Sequence, residues 1–215
     1  MKSSISKRFF LVFIIFLITV FYFSCDDAGI VEPENQELCI TGQIVNWTQG
    51  TKTLHAYVRS SSGPSFSIAN CPIDAGGNFN VCLPATLSDS TLFSSDSIFY
   101  IGCTGGGTVT FNPPDGRGTE IISFRVKNGD TTIGYIRRNN YDTLYPGAFS
   151  IMYVYANKDV TVSGYKICTN DTLHFDGTAK KGWTKVVKNR LRVTGPGTTY
   201  LYNTTEPPGA IWEFY

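Results

Sequence analysis

Apolar and polar residues alternate along most of the chain beyond residue 39. In CITGQIVNW (39–47) Ile40 and Ile44 fall on one side, and in TLHAYVR (53–59) Leu54, Ala56 and Val58 do. A strand sends successive side chains to opposite faces, so this period of two predicts strands with one buried face. FSIANCPI (66–73) runs through DAGG into NFNVCLP (78–84), where Phe79, Val81 and Leu83 share a face. An Asp/Gly turn between alternating runs predicts a hairpin, because glycine takes positive φ without steric cost. Two more hairpins are expected. One is IISFRVK (121–127), NGD and TTIGYIRR (131–138); the other is FSIMYVYA (149–156), NKD and VTVSGYKI (160–167). Further strands are predicted at 183–193, 198–203 and 211–215, and no segment carries convincing helical periodicity.

Composition agrees with this pattern. The chain holds 21 Gly, 12 Tyr and 15 Phe with only 16% charged residues, a bias that suits pleated, half-buried surfaces. The expected fold is all-β, with two packed antiparallel β-sandwich-like units. ATLSDSTLFSSDS (85–97) and CTGGGTVTFNPPDGRGT (103–119) are rich in turn formers, so the units are placed at 39–101 and 102–215. Residues 39–84, with a Gly-x-Val-like first strand and an Asp-x-x-Gly-x-Phe turn closing on Leu-Pro, resemble a transthyretin-like or carboxypeptidase-regulatory-like β-sandwich. That resemblance implies a spacer or stabilising module and brings no catalytic residues. YVYANKDVTVSGYK, KKGWTKVV and IWEFY are similar to the C-terminal half of uncharacterised bacterial lipoproteins.

The N-terminus has the parts of an export signal. Lys2, Lys7 and Arg8 precede an apolar run from Phe9 to Phe23, and Ser24 sets a small side chain before Cys25. The Ser24-Cys25 pair resembles the processing site of bacterial lipoproteins, in which the cysteine is acylated and becomes the first mature residue. The resemblance implies a signal peptide at 1–24 and a lipid anchor on Cys25. The competing reading, an uncleaved anchor, has a run shorter than the roughly 20 residues that span a bilayer. Acyl chains contribute about 0.8 kcal/mol per buried methylene, so several of them give stable attachment. Residues 25–38 are acidic and aperiodic and read as a tether. Asp26 and Asp27 resemble an inner-membrane retention signal in enteric-type lipoproteins and a surface-display signal in Bacteroidetes-type ones. The expectation taken is the cell envelope, at the outer membrane or cell surface rather than the inner membrane.

Charge and motifs narrow the chemistry. Without Lys2, Lys7 and Arg8 the 18 basic residues fall to 15, against 17 acidic ones. No basic excess remains for a phosphate backbone, so a nucleic-acid partner is not expected. GGG (105–107) is followed by no Gly-Lys-Ser/Thr and reads as a turn. The chain has no Gly-x-Ser-x-Gly, His-Glu-x-x-His or Cys-x-x-Cys and no calcium loop with a closing Glu. No catalytic residue, metal ligand or cofactor is therefore expected. His55, between inward Leu54 and Ala56, reads as solvated, His174 has no local signature, and Asp159 reads as a turn former.

Four sets of residues remain as candidates. Cys39, Cys71, Cys82, Cys103 and Cys168 stand beyond Cys25, an odd number in a compartment that permits disulfides. Cys71 and Cys82 flank one hairpin and become cross-strand neighbours if Gly76-Gly77 forms a two-residue loop, whereas a one-residue shift sends them to opposite faces. Buried free thiols are the other reading. Lys188, Arg190 and Arg192 share one face of WTKVVKNRLRV, opposite Trp183, Val187, Leu191 and Val193. They suit an anionic glycan, or form an ordinary solvated basic face. Trp212, among Tyr200, Tyr202, Phe214 and Tyr215, completes the candidate ligand-binding set, as a sugar platform if exposed and as core if buried. Asp-Ser/Thr-X tripeptides with X from Ala, Ile, Leu, Val, Met and Thr begin at Asp89, Asp96, Asp130, Asp142 and Asp171. They resemble the O-glycosylation acceptors of Bacteroidetes-type envelope proteins, with Ser90 and Ser97 the best candidates. A turn Asp before a β-branched strand start gives the same pattern.

The functional expectation is a membrane-anchored cell-envelope lipoprotein acting as a non-catalytic binding, adhesion or structural module. A carbohydrate-binding accessory protein, or a hydrolase with an unmarked site, is the alternative. Its expected partners are the membrane, through Cys25, and a glycan or another envelope protein. Intact mass and peptide mapping of the protein from its native envelope test the anchor and the sugars. The expected result is a chain that starts at acylated Cys25 and carries sugar increments at Ser90 or Ser97. Retention of residues 1–24 would rule out the lipoprotein processing.

Overall fold

The computed structural model describes residues 37–60, 63–99, 103, 105–140, 145–194 and 197–215. Cys25, the signal peptide expected at 1–24 and most of the tether expected at 25–38 lie outside the described residues. Among the described residues no helix is long and apolar enough to cross a membrane. The fold is all-β. The first part comprises β1 (Leu38–Gln43), β2 (Lys52–Val58), β3 (Phe66–Ile73), β4 (Asn78–Leu83), β5 (Phe93–Ser94) and the single helical turn α1 (Ser95–Phe99). Next come β6 (Val109–Asn112), β7 (Arg117–Asn128), β8 (Thr131–Asn139), β9 (Phe149–Ala156) and β10 (Val160–Ile167). The last strands are β11 (Asp171–Ala179), β12 (Gly182–Thr194), β13 (Gly197–Asn203) and β14 (Ile211–Phe214). Their order is β1-β4-β3-β2-β7-β8-β9-β12-β13-β11-β10-β6, with β14 added beside β8 and β5 beside β7.

Alternation sets the local structure as expected. Leu54, Ala56 and Val58 of β2 are fully buried, as are Val81 and Leu83 of β4. The β3–β4 hairpin closes with Asp74 N–H donating to Asn78 O and Gly77 N–H donating to Asp74 O. The Asp74 carboxylate also accepts from the Gly76 and Asn78 amides at 2.8 Å. Gly77 has φ +83°, and a Cβ there would lie 2.7 Å from Trp47 Cβ. The connection is therefore a three-residue loop ending in a left-handed glycine. Ile73 then faces Phe79, and the same register sets Cys71 opposite Val81 on the core face.

That register corrects the Cys71–Cys82 pairing. Cys82 points to the other face and is bonded to Cys39, its direct partner across β1–β4, with the Cα atoms 3.9 Å apart. Cys103 is bonded to Cys168, and Cys71 is a buried free thiol.

The third hairpin also differs. The strands form where expected, but β9 pairs with β12, β7 and β8, while β10 pairs with β11 and β6. Asn157 donates its amide to Arg117 O and accepts from the Arg117 amide on its side-chain oxygen. Asp159 meanwhile binds the Lys180 ammonium and the Lys181 amide. The NKD turn is thus held from both sides and hands β10 to β11 instead of folding it back on β9. Strands β6 and β11 are not among the expected elements, although Val109 and Phe111 alternate in one and Leu173 and Phe175 in the other, and β11 lies parallel to β13.

The larger core draws on both sides of the division expected at residue 101. It joins Ile40, Leu54, Ile73 and Leu83 to Phe124, Ile136, Phe149, Tyr153, Val187 and Trp212. A smaller cluster gathers Val160, Val162, Leu173 and Phe175. Trp212 is only 4% exposed, with edge-to-face contacts to Phe79 at 5.1 Å and Phe124 at 5.6 Å. Its approach to β1 needs Gly42, where any Cβ would collide with the indole. Trp212 is therefore a core residue and leaves the candidate ligand-binding set. Trp212→Ala should lower the unfolding free energy by about 3–5 kcal/mol. Equilibrium denaturation checks this, and a loss below about 1 kcal/mol would contradict the packing role.

Candidate binding face

Strand β7 changes partners along its length. Phe124–Asn128 pair with β8, whereas Gly118–Glu120 pair with β9 at Val154–Ala156. Strands β8 and β9 meet only where Arg138 and Asn139 face Ile151 and Ser150. A gap opens between the three strands, flanked by residues 121–123 of β7, Arg137 of β8 and 152–153 of β9. It forms a cleft of about 570 Å³ lined by Arg59, Glu120, Ser123, Arg137, Asn139 and Ser150, with Tyr215 among its other walls. Small-molecule sites commonly have about 300–1,000 Å³.

A bulge turns the right side chains outward here. Tyr57 faces Ser123 but Val58 faces Ile121, so Ile122 is the extra residue and the alternation of β7 flips across it. Ile121 stays in the core, while Glu120, Ser123 and Arg125 share the outer face. The cross-strand register carries that face onward. Arg125 lies opposite Tyr135, Arg137 opposite Glu213, Asn139 opposite Ser150, Ser150 opposite Lys188 and Lys188 opposite Tyr202.

Six cations stand on this face: Arg59, Arg125, Lys127, Arg137, Lys188 and Arg190. Tyrosines lie between them. Arg125 sits 3.9 Å above the Tyr57 ring, Arg137 4.8 Å above Tyr215, and Lys188 4.2 Å above Tyr200. Cations over ring faces gain from the ring quadrupole. Tyr135 and Tyr215 stack at 5.9 Å and are 38% and 60% exposed. Among the described residues the face carries the carboxylates of Glu213, which accepts from Nε and Nη2 of Arg137 at 3.1 and 3.0 Å, of Glu120 and, on the strand beyond Tyr202, of Asp171. The Arg59–Glu120 contact is 3.8 Å, beyond hydrogen-bond range.

Three buried or partly buried polar groups mark the gap. Burial pushes the Glu120 carboxyl above its ordinary value, opposed by the positive charges of Arg59 and Lys188. Asn139 is fully buried; its amide nitrogen donates to Glu213 at 3.4 Å, and its Oδ1 has no donor. Thr119 Oγ1, nearby on β7, is also buried without a partner. Leaving such an atom unsatisfied costs about 1–3 kcal/mol.

The candidates from the sequence separate in space. Lys188 and Arg190 do come together, lining a pocket of about 140 Å³ with Phe149, Ser150 and Tyr200, and Arg190 donates to the Tyr200 hydroxyl at 3.0 Å. Arg192 does not join them. Arg190 faces Tyr200 and Arg192 faces Thr199, so Leu191 is a bulged residue and Arg192 turns to the opposite face. Ser90 is exposed in a short 3-10 turn and bonded to Ser88 Oγ at 2.7 Å. Ser97 sits half-buried in α1, near Ser94 Oγ at 3.0 Å, rather than in a loop. His55 is on the outer face as expected, 3.3 Å from Ser67 Oγ, with its pKa lowered by burial and by Lys127. Cys71 faces the core, so the two do not form a nucleophile–base pair. The ligand atoms of Glu37, Cys39 and Cys82 lie within 4.8 Å of one another, but both thiols are spent in the disulfide. Sequence reasoning missed Arg59, Glu120, Arg137 and Asn139; no local motif carries them, because the gap that unites them arises from strand pairing.

The chain matches no known protein family, no curated protein and no solved structure.

Because the folded protein holds the Glu120 proton more tightly than the unfolded chain, this carboxyl favours folding below its ordinary value. It opposes folding as pH rises through the raised value. The stability difference between wild type and Glu120→Gln should therefore fall as pH rises from about 4 to 7. Thermal unfolding of both proteins across that range checks it, and a difference that rises with pH would contradict the burial argument.

Proposed function

We propose that the protein is a lipid-anchored cell-envelope module that binds a partner through its cationic, tyrosine-lined face and performs no chemistry of its own. The observation that carries this reading is the exposed Tyr135–Tyr215 stack beside a cleft that holds cations and a buried acceptor without a donor. Large rigid aromatics with adjacent guanidinium groups give contact area at low entropic cost. The anchor on Cys25 would hold the protein at an envelope membrane.

The same features favour a glycan as the partner, which makes the protein a carbohydrate-binding accessory of the envelope. Sugar rings expose C–H faces that stack on tyrosine and hydroxyls that serve both donors and acceptors. A hydrolytic role draws less support. Glu120 is the one carboxylate among the described residues lining the cleft, whereas glycoside hydrolysis uses two facing carboxyl groups.

Binding of the full-length protein to immobilised envelope polysaccharides tests the proposal. The double variant Tyr135→Ala/Tyr215→Ala should bind at least about tenfold more weakly, a change of about 1.4 kcal/mol. Undiminished binding by this folded variant would remove the face from the proposal.

A further inference from the structure

We propose that the cleft between β7, β8 and β9 is a subsite for one carboxylate-bearing sugar residue of the uronic acid type. This rests on the reading of the outer face as a glycan-binding surface and goes further, by assigning the cleft a ligand of stated chemistry. The cleft presents two kinds of group together. Arg59 and Arg137 offer guanidinium donors, whose planar geometry matches a carboxylate. Glu120 and the Asn139 Oδ1 offer acceptors, and the latter is fully buried with no donor. A ligand that satisfies the cleft must therefore carry an anionic group and hydrogen-bond donors on one small framework. A uronic acid does, with its carboxylate and ring hydroxyls. Inorganic phosphate supplies the charge but few donors, and a neutral sugar supplies hydroxyls but no negative charge for the guanidinium donors.

The state of the two arginines supports this assignment. Glu213 occupies Nε and Nη2 of Arg137, which fixes the group in place and leaves Nη1 for a ligand. Arg59 reaches Glu120 only at 3.8 Å and lies 5.6 Å from the Phe93 ring centre, so it sits at the cleft wall without a tight ion pair to that carboxylate. The excess of cations over carboxylates on the whole face favours an anionic ligand over a neutral one by long-range attraction. Exposed Tyr215 lines the same cleft and continues into the tyrosine stack, so a sugar in the subsite can extend along the face as part of a longer chain.

Titration calorimetry of the full-length protein in detergent tests the subsite with four probes: a glucuronate-containing disaccharide, its glucose counterpart, sodium glucuronate and inorganic phosphate. The acidic disaccharide should bind one to one and at least about tenfold more tightly than the neutral one. Arg59→Gln should weaken the acidic disaccharide at least about tenfold more than the neutral one, which removes the preference; its side chain is 38% exposed, so the fold should tolerate the change. Asn139→Ser, its folding checked by thermal unfolding, should weaken both disaccharides. Equal affinity for the two disaccharides would overturn the subsite, and so would phosphate binding as tight as glucuronate. Binding lost in Tyr135→Ala/Tyr215→Ala but untouched by Arg59→Gln would place the sugar outside the cleft, which overturns the subsite and leaves the face-binding proposal standing. Loss of polysaccharide binding in none of these variants would remove the face proposal itself.

Discussion

The arrangement of the whole face depends on one constraint: β7 cannot pair with both β8 and β9 along the same edge. It takes β8 for its C-terminal half and β9 for its first residues, and the backbone between must bend. The bulge at Ile122 supplies that bend, since an extra residue on one strand locally raises twist and shifts register. Its second effect is to reverse which side chains point outward. Without the extra residue, Glu120 would turn toward the core side and Ile121 toward the cleft. The same distortion thus opens the gap and stocks it with polar groups.

Trp212 makes this distortion tolerable. Its indole touches Phe79 on β4 and Phe124 on β7, and Phe124 in turn contacts Tyr153 on β9 at 5.8 Å. The aromatic chain fills the region behind the fork, where a regular ladder would otherwise hold the strands together. The backbone joins in, with Val45 N–H donating to Trp212 O at 2.9 Å. β14 thereby locks β1 to β8 and lets the larger core run across segments far apart in sequence. On the same side of the fold, Glu206 binds Arg138 at 2.7 Å and also pairs with Lys185, tying the loop before β14 to β8 and β12.

Parity decided most of what the candidate residues do. In a strand, one residue of shift moves every later side chain to the other face. At the β3–β4 loop this shift separates Cys71 from Cys82 and leaves Cys82 to Cys39. At Leu191 it separates Arg192 from Lys188 and Arg190. At Ile122 it brings Glu120 to the side of Asn139. The bulges at Ile122 and Leu191 sit inside strands whose alternation reads as continuous, so periodicity alone cannot place them.

The sequence by itself determined the class of the fold and the position of most strands, because burial of one face imposes a period of two that can be read residue by residue. β2, β4, the β7–β8 hairpin and the core side chains Leu54, Val58, Val81 and Val187 were all legible in this way. It also carries the residues around Ser24 and Cys25 on which the proposed lipid anchor rests. Tertiary structure alone decided which strands pair, that β9 leaves β10 for β12, that Trp212 is core, and that Arg59, Glu120, Arg137 and Asn139 meet. The reason is physical. Alternation reports which face of a strand is buried, but its partner is chosen by packing between segments dozens of residues apart, where a single bulge redirects the rest of the strand.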